Sequence, residues 1–158
     1  MTMLATDRAH VESRVELDRV TLALPAAPPR ELSPNARVHW RTRATAAKAT
    51  RDAATLVTRS LLARSTRPAF LDDPVLVVDI EIMWGSGRKR HDTDNATGMM
   101  KSGLDGIADG LGVNDRAFRL GTLTQGFATD RAGYVVVVIR PDGGDRAPAI
   151  LAGDDQET

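Results

Sequence analysis

The chain has 158 residues, enough for one domain that buries roughly two-thirds of its unfolded surface. Cysteine is absent and only three histidines occur, which excludes disulfides and cysteine nucleophiles and argues against a His-rich zinc centre. The formal net charge is zero, but nine basic residues (Arg30, Arg37, Arg41, Arg43, Lys48, Arg51, Arg59, Arg64 and Arg67) face only Glu31 and Asp52 between Arg30 and Pro68, a local excess that suits a polyanion.

Residues 1–16 show no periodicity and are expected to be disordered. The opening MTMLATDRAHVESR lacks the apolar core of a secretory signal. No apolar run approaches the ~20 residues of a membrane span. A cytoplasmic protein without a membrane partner is therefore expected. The folded domain is placed at 17–141, followed by an acidic flexible tail at 142–158.

Val20, Leu22 and Leu24 alternate with Arg19, Thr21 and Ala23 and predict a first strand. Ser33-Pro34-Asn35 marks a turn. The stretch from Arg41 to Ala63 lacks Gly and Pro and predicts a helix with arginines on its outer faces. Val75 to Trp84 predicts a strand: Leu76, Val78, Ile80, Ile82 and Trp84 share one face, with Asp79 and Glu81 on the other, expected to be solvated. Gly85-Ser86-Gly87 opens a basic loop. Met100, Leu104, Ile107 and Leu111 recur at helical spacing and predict a second helix over 96–109, capped by Asp94 or Asn95. Its glycines lower intrinsic propensity but permit close backbone packing. Phe118 to Phe127 and Tyr134 to Ile139 predict two strands joined by Asp130-Arg131-Ala132-Gly133, read as an antiparallel hairpin. The order is β-α-β-α-β-β: a single α+β domain with a mixed sheet packed on helices.

Three aspartates carry the chemistry. Asp92 and Asp94 stand between the second predicted strand and the second helix, and Asp115 follows that helix. Carboxylates that converge repel one another, and burial without a cation costs several kcal/mol. Mg²⁺, or Mn²⁺, relieves that cost and suits hard oxygen ligands. Arg88, Lys89, Arg90 and Lys101 beside such a metal would hold phosphate, and the set suits phosphodiester hydrolysis. The plainer reading makes the D-x-D pair a solvated turn or cap, and makes Lys101 and Asp105 a surface i,i+4 ion pair. An EF-hand is excluded, because Thr97 stands where its loop requires glycine.

The run Arg90-His91-Asp92-Thr93-Asp94-Asn95, then Lys101, Asp105-Gly106 and Asn114-Asp115, resembles the RusA family of Holliday junction resolvases. Leu32-Ser33-Pro34-Asn35 and His39-Trp40-Arg41 resemble that family's early loop and its aromatic-basic continuation. The likeness covers roughly 18–140. It implies a homodimeric, Mg²⁺-dependent endonuclease that resolves four-way DNA junctions by paired symmetric nicks in recombination and repair. By position, Asp92, Asp94 and Asp115 match the metal-binding catalytic aspartates, and Lys101 the catalytic lysine. Asn35, Arg37, His39, Arg41, Arg43, Lys48, Arg88, Lys89 and Arg90 are expected to hold DNA. Two departures stand out. Asp94 to Lys101 spans seven residues instead of the usual four, and Asn114 replaces the first acid of the closing pair. The alternatives are a less selective nuclease of flaps, forks or RNA, a non-catalytic DNA-binding protein, and a small-molecule phosphohydrolase.

Overall fold

The structure, a computed structural model, describes residues 11–143. The expectations for residues 1–10 and 144–158 lie outside the described residues. Eight regular elements build one α+β domain: β1 (Arg14–Val15), β2 (Val20–Leu24), α1 (Trp40–Ala63), β3 (Leu76–Trp84), α2 (Thr93–Met99), α3 (Lys101–Leu111), β4 (Phe118–Phe127) and β5 (Tyr134–Pro141). The mixed sheet runs β1-β2-β5-β3-β4. Among the described residues, no helix is long and apolar enough to cross a membrane.

The β3 alternation holds. Leu76, Val78, Ile80, Ile82 and Trp84 are all buried and join Leu22, Val137 and Ile139 in one core. That core packs under α1 and α3, whose approach depends on glycine. A Cβ on Gly106 would collide with the Arg51 carbonyl of α1, and one on Gly110 would meet Thr58. The glycines that weaken α3 as a helix therefore let it lie against α1.

Four expectations are corrected. Arg14 and Val15, inside the stretch expected to be disordered, form β1 against Val20 and Thr21. The single helix over 96–109 is two helices broken at Met100, and its cap is Asp92, whose carboxylate accepts from the Asn95 N–H at 2.8 Å. The expected β4–β5 hairpin does not form. β5 lies between β2 and β3, antiparallel to both, while β4 runs parallel to β3 at the sheet edge. The sorting has a physical cause: Val135 to Ile139 are apolar on both faces and suit a central strand, whereas β4 carries Arg119, Gly121, Thr122, Thr124 and Gln125.

The fourth correction concerns the second face of β3. Asp79 is 1% exposed. It accepts from the Arg140 Nε–H at 2.8 Å, and from the Thr122 N–H and hydroxyl at 2.9 and 3.0 Å. A bulge in β4 opposite Asp79 supplies the Thr122 contacts. Glu81, two residues along, is half-buried, and burial pushes its carboxyl up from an ordinary 4.5 to about 7. The folded state thus holds a proton that the unfolded chain releases near 4.5, so stability falls as pH rises from there through about 7. Discounted for partial exposure, the loss is on the order of 1–2 kcal/mol. Urea titrations at pH 5 and pH 8 check this: Glu81→Gln should remove the difference.

Candidate metal and nucleic-acid site

β3 ends at Trp84, and the chain crosses to α2 through the basic loop. Gln125 of β4 anchors that loop. Its side-chain carbonyl accepts from the Trp84 Nε1–H at 2.9 Å and from the His91 N–H at 3.1 Å, while its amide donates to the His91 carbonyl at 2.8 Å. The His91 ring lies 4.8 Å from that of Trp84. Burial, and then Arg88, hold its pKa below the usual value, against the opposing pull of Asp92.

The three loop cations differ in use. Arg88 is half-buried: it lies over Trp84 at 4.9 Å and donates to the Pro28 carbonyl at 2.9 Å. Burial, followed by the neighbouring Arg30, lowers its pKa. Arg88 therefore braces the loop. Lys89 and Arg90 are exposed, and Arg90 reaches the Gln125 carbonyl at 3.2 Å.

Asp92 and Asp94 follow at the start of α2. Both oxygens of Asp92 are oriented by Asn95, one by its N–H at 2.8 Å and the other by its side-chain amide at 3.0 Å. Asp94 is exposed. Lys101 opens α3 and meets Asp105 at 3.4 Å, the surface pair that the spacing predicts.

The early loop comes to the same end of the molecule. Pro34 packs on Gly98 of α2, where an added Cβ would lie 3.1 Å from the proline Cγ. Arg43 of α1 ties down the same loop by donating to the Ala36 carbonyl at 2.8 Å. His39 caps α1, its Nδ1 accepting from the Arg41 N–H at 3.2 Å. Asn35, Arg37, His39 and Arg41 are exposed. Trp40 is 67% exposed, with the His39 ring on one side and the Arg41 guanidinium 5.2 Å from its centroid. An exposed indole among cations is a stacking platform for nucleobases. The candidate DNA contacts named from sequence omit Trp40, although His39-Trp40-Arg41 carries the signal.

Part of the basic excess is neutralised within the chain. Lys48 pairs with Asp52 at 2.5 Å, Arg51 with Asp109 at 2.7 Å, and Arg67 with Asp72 at 3.2 Å. Arg67 also donates to the Leu111 carbonyl at the end of α3.

Asp115 stands elsewhere. It opens the short 3-10 turn Asp115–Ala117, which Asn114 caps by accepting from the Arg116 N–H at 2.9 Å. Its charge, after those of Asp109 and Asp105, acts on Arg51. Because β3 and β4 are parallel, Leu76 pairs with Phe118 and Ile82 with Gln125. Asp115 therefore precedes one end of β4, while Asp92 is held near the other through His91 and Gln125. At ~3.3 Å per strand residue the two carboxylates are on the order of 20 Å apart. Among the described residues, no three His, Asp or Glu side chains gather closely enough to hold a metal ion.

No family model matches the chain. An uncharacterized protein of Xylella fastidiosa is 38% identical over 141 residues, covering 88% of this chain and 84% of that protein. The chain belongs to that protein's family. The match spans most of the chain. Its description names no activity.

Proposed function

We propose that this protein is a Mg²⁺-dependent endonuclease acting on branched DNA, four-way junctions foremost, as a homodimer. The observation that carries the reading is the packing of Pro34 on Gly98, which sets the exposed Asn35–Arg41 segment beside the helix that begins at Asp92 and Asp94. Oxygen donors, a nearby lysine and a surface for anionic strands then occupy one end of the domain.

The donor set fits a hard cation. Asp94 is exposed, and each Asp92 oxygen keeps a lone pair beyond the one that Asn95 uses. When bound, Mg²⁺ supplies charge stabilisation at phosphate oxygens and activation of water. The chain's own groups do the rest. Asn95 fixes the Asp92 carboxylate. Lys101 offsets charge developing on the scissile phosphate or the leaving oxygen. Arg37, Arg41, Lys89 and Arg90 position the sugar-phosphate backbone, and Trp40 stacks on an unpaired base near the branch.

Incubating the protein with labelled four-way junction, fork and linear duplex, in Mg²⁺ or in EDTA, tests the reading. Paired nicks in the junction that require Mg²⁺ are expected. Equal cutting of forks and junctions would favour a less selective nuclease. Tight binding without cutting would favour a DNA-binding module, the reading that the capping role of Asp92 supports.

DNA binding should weaken steeply with salt. Neutralising Z phosphates gives a slope of about −0.9Z in log K against log salt. Replacing Arg41 and Arg43 together with alanine should flatten the slope by ~1–2 units, since Arg41 is exposed and Arg43 holds the loop that presents Arg37. An unchanged slope in a fluorescence-anisotropy salt series would remove this end of α1 from the DNA surface.

A further inference from the structure

The segment 25–29 follows β2 at the end of the sheet where Leu24 pairs with Val135, and it helps enclose a cleft of about 280 Å³. Met99 and Met100 border the cleft from the break between α2 and α3, and Ala49 and Ala53 border it from α1. Gly103 borders it too. A Cβ there would sit 3.7 Å from Met100, 3.9 Å from Leu24 and 4.0 Å from Thr50, ordinary contact distances, so this glycine leaves space rather than avoiding a collision.

Among the described residues that line the cleft, Thr50 carries the one polar side chain and none is charged. Such a lining refuses an ion and accepts a neutral, largely apolar group. The enclosing segment is tied down from outside. The Ala27 N–H donates to the Ala132 carbonyl at 2.9 Å, and Arg88 donates to the Pro28 carbonyl at 2.9 Å. The cleft is therefore formed before a ligand arrives, which lowers the ordering cost of filling it.

Pro29, Ala49 and Thr50 also border a wider groove of about 570 Å³ that reaches Arg41. Glu31 borders that groove and offsets part of the charge, while Arg41 and the exposed indole of Trp40 stand at its end. A neutral chamber leading to a cation and a flat ring complements a nucleotide: the base suits the cleft and the phosphate suits the arginine. The cleft is also close to the aspartates. Asp92 caps one end of α2 and Met99 closes the other, a rise of ~10 Å at 1.5 Å per residue.

We propose that the cleft receives the base of one nucleotide turned out of a DNA strand at a branch point, while Arg41 holds that strand's phosphate and Trp40 stacks on the neighbouring base. The inference rests on the DNA-binding part of the reading above and not on the metal. Turning a base out costs least where pairing and stacking are already broken, as at the centre of a junction. A site that fills only with an unpaired base favours branched over linear DNA, which phosphate contacts alone do not do.

2-Aminopurine at the branch point tests this in EDTA, where cutting plays no part. The described lining holds no aromatic ring to quench the probe, so binding should raise its fluorescence several-fold. Ala49→Leu, at an exposed helix position, and Gly103→Ala, which raises helix propensity, narrow the cleft without touching Trp40 or Arg41. Both should fold by circular dichroism, keep the salt slope of junction binding and lose the fluorescence rise. Replacing the same base by an abasic site should cost the wild type about 5- to 150-fold in affinity, the worth of one stacked base, and cost Ala49→Leu little.

Methyl-labelled methionine gives a readout on the wild type itself. The Met99 and Met100 signals should move when junction DNA is added and stay in place when inorganic phosphate is added. Signals that stay still with the junction, or a fluorescence rise that survives in both narrowed variants, overturn the inference. Movement with indole but not with DNA gives the cleft to a free apolar ligand and also overturns it. A wild type that cuts junctions while these methionines stay still keeps the nuclease reading and removes the base site. A wild type that never cuts, but shows the rise and its loss in Ala49→Leu, keeps the base site and removes the nuclease reading.

Discussion

Asp79→Ala is expected to destabilise the protein by about 3–5 kcal/mol, the usual cost of removing one member of a buried ion pair. Arg140 has a side chain only 10% exposed and would keep its charge against the sheet with no acceptor at Nε from Asp79. Thr122 would lose the acceptor for both its N–H and its hydroxyl, which removes the contacts that hold the β4 bulge. A domain of this size has roughly 5–15 kcal/mol of stability in total, so the loss takes a large share of it. Urea denaturation followed by circular dichroism reads the effect as a lowered midpoint. Burial raises the Asp79 pKa, but the bonds from Arg140 and Thr122 more than offset it, so the net shift is downward. The stability the group contributes is therefore present above the ordinary carboxylate range and is lost as pH falls through the lowered folded value. Replacing Asp79 and Arg140 together by apolar residues of similar size should cost much less than Asp79→Ala. A midpoint unchanged by Asp79→Ala would show that the cluster contributes nothing net.

The largest effect on activity is expected at the aspartates. On the nuclease reading proposed above, Asp92→Asn, Asp94→Asn and Asp115→Asn would each keep the side-chain shape while discarding one anionic ligand. Loss of several kcal/mol of transition-state stabilisation corresponds to a fall in cleavage rate of about 10³-fold or more. Binding should move the other way. Without metal, each carboxylate beside a DNA phosphate repels it by ~1–4 kcal/mol at close range, so the Asn variants should bind junction DNA in EDTA as well as the wild type or better. Lys101→Ala should slow cleavage without that gain, since it removes a positive charge. Single-turnover cleavage and anisotropy in EDTA separate the two effects. Normal cutting by any one Asn variant removes that residue from the essential set, and normal cutting by all three removes the metal site.

Local patterns carried the elements, and distant partners decided their arrangement. The alternation of β3 was readable because one of its faces meets helices, and α1 was readable because nothing between Arg41 and Ala63 interrupts a helix. The position of β5 was harder. A run of four valines apolar on both faces does signal a central strand, but the short connection after β4 signals a hairpin, and the two cues conflict. Asp79 looked solvated because its partners, Thr122 and Arg140, stand 43 and 61 residues away. The D-x-D-N run and Lys101 were legible as sequence neighbours, one at the start of α2 and the other at the start of α3. Whether Asp115 joined them was not, since that depends on β3 and β4 being parallel.

The central place of β5 has a consequence for the order in which the chain acquires its structure. β2 is made early, at Val20–Leu24, yet its long partner is Val135–Ile139, more than a hundred residues later. Until that segment leaves the ribosome, β2 has only the two-residue β1 beside it, and the inner edge of β3 is bare. The α1–α3 layer and the β3–β4 pair can form beforehand, but the sheet closes only when the last strand inserts between two edges already in place. Closing so long a loop carries an entropic cost that contacts repay only afterwards, which slows folding. A chain stopped at the Asp130–Gly133 turn would lack the strand that joins the two halves of the sheet, with Leu22 and Ile80 on edges that have no partner.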